Sequence, residues 1–154
     1  MAEFEIVDLV EQPALAVRGE VPVEGLGEFF GRAFGEVMAV VEAAGVEIVD
    51  APFGYYPAMP TEVVTVEAGL PVSAPVEASG DVHPLVLPGG RAVVGVHVGP
   101  YDSLEATYTE LTSWMAARGL TPAGTMWESY LSDPEAEPDP ATWRTRITWP
   151  IVED

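Results

Sequence analysis

The sequence predicts an α+β fold built from two copies of one unit, strand-strand-helix-strand-strand, fused about a pseudo-twofold axis, and three observations carry that prediction. Two stretches with apolar residues every third or fourth position stand among short alternating runs, which separates helix from strand by period alone. A shift of 74 residues takes Phe34 to Tyr108, Glu36 to Glu110, Gly45 to Gly119, Phe53 to Trp127, Tyr56 to Tyr130 and Pro60 to Pro134 without a gap. Hydrophobic residues make up 48% of the 154 and charged residues 20%, so the chain can bury a core rather than stay disordered. One domain, 1–154, is expected, with repeat one at about 1–71 and repeat two at about 72–154.

In order, Phe4 to Val10 alternates, setting Phe4, Ile6 and Asp8 against Glu5, Val7 and Leu9, as a strand does. Pro13 punctuates it, and Ala14 to Val21 reads as a second strand. From Gly27 to Ala44 the residues Phe30, Phe34, Val37, Val41 and Ala44 form the buried stripe of an amphipathic helix that Gly45 ends. Gly27, Gly31 and Gly35 line another side of that helix. A glycine inside a helix costs about 1 kcal/mol relative to alanine, so this line is expected to pack closely on a sheet or a ligand. A membrane GxxxG pair suits it poorly, because Glu28, Arg32, Glu36 and Glu42 interrupt any long apolar run. Val46 to Asp50 and Phe53 to Tyr56 continue as extended chain, and Glu62 to Ala68 is a strand.

The second copy starts with extended chain from Val72 to Ala78. Leu87-Pro88-Gly89-Gly90-Arg91 is turn chemistry, and Ala92 to Val98 is a strand. Asp102, with Glu105 three residues on, is spaced to cap the next helix. Leu104, Tyr108, Leu111 and Met115 make its buried stripe, and Arg118-Gly119 ends it. Thr125 to Leu131 and Thr142 to Trp149 are the last two strands.

Charge narrows the function. Twenty-five acids face 6 bases, all of them arginine, for a formal net charge of −19. Such a surface repels phosphate, so direct nucleic-acid binding and anionic-membrane binding are not expected, whereas solubility and attraction of cationic ligands both are. Without cysteine there is no disulfide, thiol nucleophile or thiolate metal site, and the two separated histidines, His83 and His97, make no metal cluster. No metal or cofactor is therefore expected. The start, MAEFEIVDLV, lacks a basic region followed by a long apolar run, so the expected compartment is the cytoplasm.

The most informative stretch runs from Trp127 to Ile151. Alternation places Met126, Glu128 and Tyr130 on one face of a strand and Trp127, Ser129 and Leu131 on the other. The 74-residue shift maps the first trio onto Pro52, Gly54 and Tyr56, so Tyr56 and Tyr130 become paired walls and Gly54 leaves space opposite Glu128. A carboxylate among aromatic rings suits a flat organic cation, because ring faces attract positive charge and a carboxylate in apolar surroundings needs a counter-charge to stay ionised. The same pattern also suits a solvated Glu128 between core tyrosines.

The run His97-Val-Gly-Pro-Tyr101, a helix carrying Tyr108 and Trp114, then Trp127-Glu128-Ser-Tyr130-Leu-Ser-Asp133-Pro134 and Arg144-Thr-Arg-Ile-Thr-Trp-Pro150-Ile151 resemble the GyrI-like family. These are effector-binding domains of multidrug-sensing transcription regulators of the AraC and MerR classes, which also occur as free-standing proteins. The resemblance covers nearly the whole chain. It implies an antiparallel sheet with two helices and a ligand groove at the repeat interface. It also implies that Glu128 and Tyr130 recognise lipophilic, cationic compounds between aromatic walls corresponding to Tyr55 or Tyr56, Tyr101, Tyr108 and Trp127. Strict alternation points Trp127 away from Glu128, so a bulge is needed for both to touch one ligand. The two repeats take up all 154 residues, leaving no room among them for a helix-turn-helix.

The expected function is a stand-alone effector-binding module for lipophilic, aromatic, often cationic small molecules, with Glu128 at the floor of its groove. One alternative is a hydrolase that opens cyclopropane rings of genotoxic compounds, with Glu128 activating water or protonating substrate and Tyr56 or Tyr130 orienting it. A second is a gyrase-inhibitor-like interaction module whose acidic loop, 133–139, mimics phosphates. His97 is expected to be structural, and Arg144 and Arg146, on one face of the last strand, to balance nearby acids.

Overall fold

Alternating runs become antiparallel strands, and the two helical periodicities become two helices, in the computed structural model, which describes residues 4–56, 63–100, 103–131 and 139–152. In chain order these are β1 (Phe4–Leu9), β2 (Gln12–Pro22), α1 (Leu26–Ala44), β3 (Phe53–Tyr56), β4 (Val63–Pro71), β5 (Val82–Leu87), β6 (Gly90–Val98), α2 (Leu104–Ala117), β7 (Thr121–Pro122), β8 (Met126–Tyr130) and β9 (Arg144–Val152). Short 3-10 turns at Val23–Gly25 and Pro140–Thr142 lead into α1 and β9. The sheet runs β1-β6-β9-β8-β3-β4-β2-β5, with the two-residue β7 added alongside β9. All pairings are antiparallel. The short strands β8 and β3 therefore sit side by side at the centre, where flanking strands protect both their edges.

The larger core lies between the helices and one sheet face. It joins Phe29, Ala33, Val37 and Val41 of α1 and Leu111 and Met115 of α2 to Leu15, Val17, Val66, Ala68, Leu70 and Ile147 of the sheet. At about 1.5–3 kcal/mol for each large apolar side chain removed from water, this cluster holds the helices down. A smaller cluster, on the opposite face of the central strands, consists of Ala14, Phe53, Leu87 and Trp127, with Leu9, Tyr55 and Leu85 packed against it. Ala14, Leu15, Ala16 and Val17 are all buried, so this part of β2 is covered on both sides and reads as an unbroken apolar run.

Several expectations shift. The second half begins with β5 at Val82–Leu87, not with extended chain at 72–78; there only Val72 pairs, in a single bridge with Ile48, besides a bridge between Ser79 and Val82. Pro84 conceals this strand in the sequence. It is tolerated because β5 is the last strand of the sheet, with β2 as its neighbour, and an edge strand can turn a missing N–H outward. The buried stripe of α1 is Phe29, Ala33, Val37 and Val41, with Phe30 and Phe34 only half-buried. The expected close packing of Gly27, Gly31 and Gly35 on the sheet is overturned: a Cβ added at any of them meets nothing within 4 Å, because the line points away from the sheet-facing stripe. Gly45, at φ 73°, ends α1 as expected, its N–H bonded to Val41 O at 3.1 Å. Asp102, the expected cap of α2, lies outside the described residues; Ser103 holds the N-cap position without a side-chain capping bond.

Candidate ligand-binding site

Glu128 lies near the middle of β8, paired with Gly54 on one side and Ile147 on the other. Alternation turns it, with Met126 and Tyr130, toward the helical layer. It is buried, with 8% of its surface exposed. The carboxylate accepts hydrogen bonds from Tyr108 of α2 and, at 3.0 Å, from the Tyr130 hydroxyl. Since Tyr130 gives its proton to Glu128, the Tyr56 hydroxyl, 3.4 Å from that of Tyr130, is the donor between the two phenols. Tyr108 also points its hydroxyl at Met126 Sδ, 3.9 Å away, and sets its ring edge-on to Trp149.

Helix α1 closes the other side. Phe30 meets Tyr130 edge-on at 5.6 Å and stacks on Phe34 at 5.5 Å. The space over Gly54 is filled by these two rings: a Cβ there would stand 2.9 Å from the Tyr130 hydroxyl and 3.0 Å from Phe30 Cζ. A side chain at Gly54 would push the Tyr130 hydroxyl or the Phe30 ring aside, and the place opposite the carboxylate holds aromatic side chains instead of standing open.

The electrostatics follow from burial. Removal from water pushes the Glu128 carboxyl above its ordinary range, and the Tyr108 and Tyr130 hydroxyls draw it partly back. Burial, then the charge of Glu128, pushes the phenols of Tyr56, Tyr108 and Tyr130 upward, so all three remain donors at neutral pH. The ion pairs described elsewhere, Arg146–Asp50 at 2.7 Å and His83–Glu67 at 2.5 Å, do not reach Glu128. Among the described residues no lysine or arginine neutralises it.

His97 supports this arrangement from behind. Its Nε2 lies 3.0 Å from both the Pro100 carbonyl and Ser103 Oγ, and its Nδ1 lies 2.5 Å from Thr107 Oγ1. A carbonyl only accepts, so Nε2 carries the proton and Nδ1 accepts from Thr107. This ties the first turn of α2 to β6 and sets Tyr108, the next residue, over Glu128. The expected structural role of His97 fits this geometry.

Of the expected site residues, Glu128, Tyr130, Tyr56, Tyr108 and Met126 come together. Tyr55 and Trp127 do not join them: they pair across β3 and β8 with ring centroids 6.1 Å apart, on the face opposite Glu128, packed with Phe53. The ladder through Tyr55–Trp127 and Gly54–Glu128 is continuous, so the bulge needed to turn Trp127 around is absent. Tyr101 lies outside the described residues, as does 132–138, most of the acidic loop. Phe30 and Trp149, read only as core or strand, belong to the site; the signal for Phe30 was the glycine opposite Glu128, which demands a large neighbour.

A separate hollow of about 580 Å³ is lined by Ala39, Val40, Ala43 and Ala44 of α1 together with Val76, Glu77 and Ser79. It shares no residue with the Glu128 cluster. Among the described residues no helix is long and apolar enough to cross a membrane, and no three side chains are grouped to hold a metal.

Comparison with known proteins identifies the fold. The family model described as a GyrI-like small molecule binding domain matches residues 2–152. The C-terminal domain of EcmrR superposes with a TM-score of 0.86 at 23% identity, covering 100% of this chain and 99% of that domain. EcmrR in its complex with DNA gives the same score at 24% identity and 99% coverage, but this chain spans only 58% of that protein. A hydrolase encoded by lin2189 from Listeria innocua matches at 0.71 and 16% identity, over 97% of this chain and 92% of that one. SAV2435 bound to tetraphenylphosphonium matches at 0.67 and 10% identity, over 97% and 94%. No curated protein sequence matches.

Proposed function

This chain belongs to the GyrI-like family of small-molecule-binding domains, and on that premise we propose that it binds lipophilic aromatic cations against Glu128, between the rings of Tyr56, Tyr108, Tyr130 and Phe30. The observation that carries the reading is a buried carboxylate held by two phenol hydroxyls and without a basic partner among the described residues. Burying an anion is costly unless a positive charge compensates it, and a cation with diffuse charge and a greasy surface can do so without hydrogen bonds of its own. Ring faces add cation–π attraction, and the net charge of −19 raises the local concentration of cations. SAV2435, a relative in fold, is bound to such a cation.

The reading includes a duplicated unit, 1–71 and 72–154, with the site at its axis. Supporting it, Gly54 and Glu128 are both cross-strand partners and residues that the 74-residue shift interchanges. Exchanging β1 with β5, β2 with β6, β3 with β8 and β4 with β9 also reverses the strand order onto itself. Hydrolysis is less favoured, because both carboxylate oxygens are engaged by phenols instead of holding a water for attack.

Tetraphenylphosphonium tests the proposal, being permanently charged and without hydrogen-bonding groups. Titration followed by tryptophan and tyrosine fluorescence is expected to saturate at one probe per chain. The cation favours ionised Glu128, whereas burial favours the neutral acid in the free protein. Affinity is therefore full above the raised value and declines as pH falls through it, by up to about tenfold per unit below it. Flat affinity throughout the acid range in which the protein stays folded would count against the proposal.

A further inference from the structure

We propose that Thr145 supplies a second, hydrogen-bonding contact in the Glu128 site and so selects aromatic cations that carry an oxygen substituent, a proposal that rests on the cation-pocket reading. Thr145 is fully buried at 0% exposure, and its hydroxyl is the side-chain oxygen without a hydrogen-bond partner among the buried described residues. The register sets it between Tyr130 on β8 and His97 on β6, on the face that carries Glu128. Neither neighbour answers it. Tyr130 directs its hydroxyl to Glu128, and both nitrogens of His97 are engaged by Thr107, Ser103 and Pro100. The next residues on the same face of β9, Ile147 and Trp149, are apolar, and valine would fill the volume of Thr145 without burying a hydroxyl.

A lone buried hydroxyl lowers stability unless something meets it, so its presence calls for a reason, and a bound partner supplies one. Glu128 pairs with Ile147, two residues from Thr145, so the two polar groups are diagonal neighbours, about 7–8 Å apart at the backbone. A substituted aryl ring bridges that span, with its charge toward Glu128 and an ether, carbonyl or hydroxyl oxygen toward Thr145. Threonine both donates and accepts, so either polarity of oxygen group is served.

The experiment compares tetraphenylphosphonium with the three isomers of (hydroxyphenyl)triphenylphosphonium on the wild type, Thr145→Val and Thr145→Ser, by titration and thermal melts. One isomer is expected to bind the wild type about three- to tenfold tighter than the parent cation, the usual gain from one neutral hydrogen bond. Thr145→Val binds that isomer no tighter than it binds tetraphenylphosphonium and melts no lower than the wild type; Thr145→Ser retains the increment. The proposal is overturned if no isomer gains, if the valine variant retains the gain, or if it melts clearly lower, which would reveal an internal partner for the hydroxyl. Failure of tetraphenylphosphonium itself to bind the wild type would instead overturn the cation-pocket reading beneath it.

Discussion

Glu128→Gln is expected to weaken tetraphenylphosphonium binding by about ten- to a hundredfold above the pH at which Glu128 ionises, while making the empty protein more stable there. The first effect is the loss of a close charge pair in a medium of reduced dielectric, after subtraction of the desolvation that both partners suffer. The second follows from the sign of the Glu128 shift. Its folded value is raised by burial, so the stability it contributes is present when the acid is neutral and is lost as pH climbs through that raised value. Above that raised value the wild type carries a buried anion and the glutamine variant does not. The gain appears as a higher Tm, and it shrinks in acid as wild-type Glu128 takes up its proton. Calorimetric melts at neutral and acidic pH, beside the titration, measure both. A variant that binds as tightly as the wild type would remove Glu128 from the recognition of cations.

Trp127→Ala is expected to do the opposite. Trp127 is 5% exposed and packs with Phe53, Tyr55 and Leu87 on the face away from Glu128. Truncating a buried tryptophan costs about 3–5 kcal/mol, a large share of the stability of a single domain. The milder Trp127→Phe, which keeps the protein folded, is expected to hold tetraphenylphosphonium with an affinity within about twofold of wild type, since the side chain touches neither Glu128 nor its phenols. Chemical denaturation gives the first quantity and titration the second. A large loss of affinity in Trp127→Phe would return the indole to the site.

The contrast between these two neighbours shows what the sequence makes legible. The period of two in β8 sets Met126, Glu128 and Tyr130 on one side and Trp127 on the other, and the structure keeps that division without a bulge. Likeness to a family placed Trp127 and Tyr55 among the walls, and the local alternation that opposed it was the better physical guide. The 74-residue shift read Gly54 and Glu128 as counterparts, and the register makes them partners. Other features leave weaker traces. Pro84 hides β5, because a proline speaks against a strand except at an edge, and edges are set by topology rather than by local sequence. Phe29 and Phe30 both satisfy an apolar stripe, so one residue of rotation, about 100°, decides which enters the core and which caps Tyr130. The hold of His97 on Thr107 and Ser103 has no periodic signature, since it joins a strand to a helix end through side chains of ordinary type.

The most direct measurement is the number of protons released when tetraphenylphosphonium binds, obtained by calorimetry in buffers of different ionisation enthalpy. If a cation meets the Glu128 carboxylate, binding lowers a value that burial had raised, and at pH near that value each probe should expel up to about one proton. The release should vanish well above that value, where Glu128 is already ionised, and be missing in Glu128→Gln. Binding without release at any pH at which the protein stays folded, or a release that persists undiminished in the glutamine variant, would contradict the account.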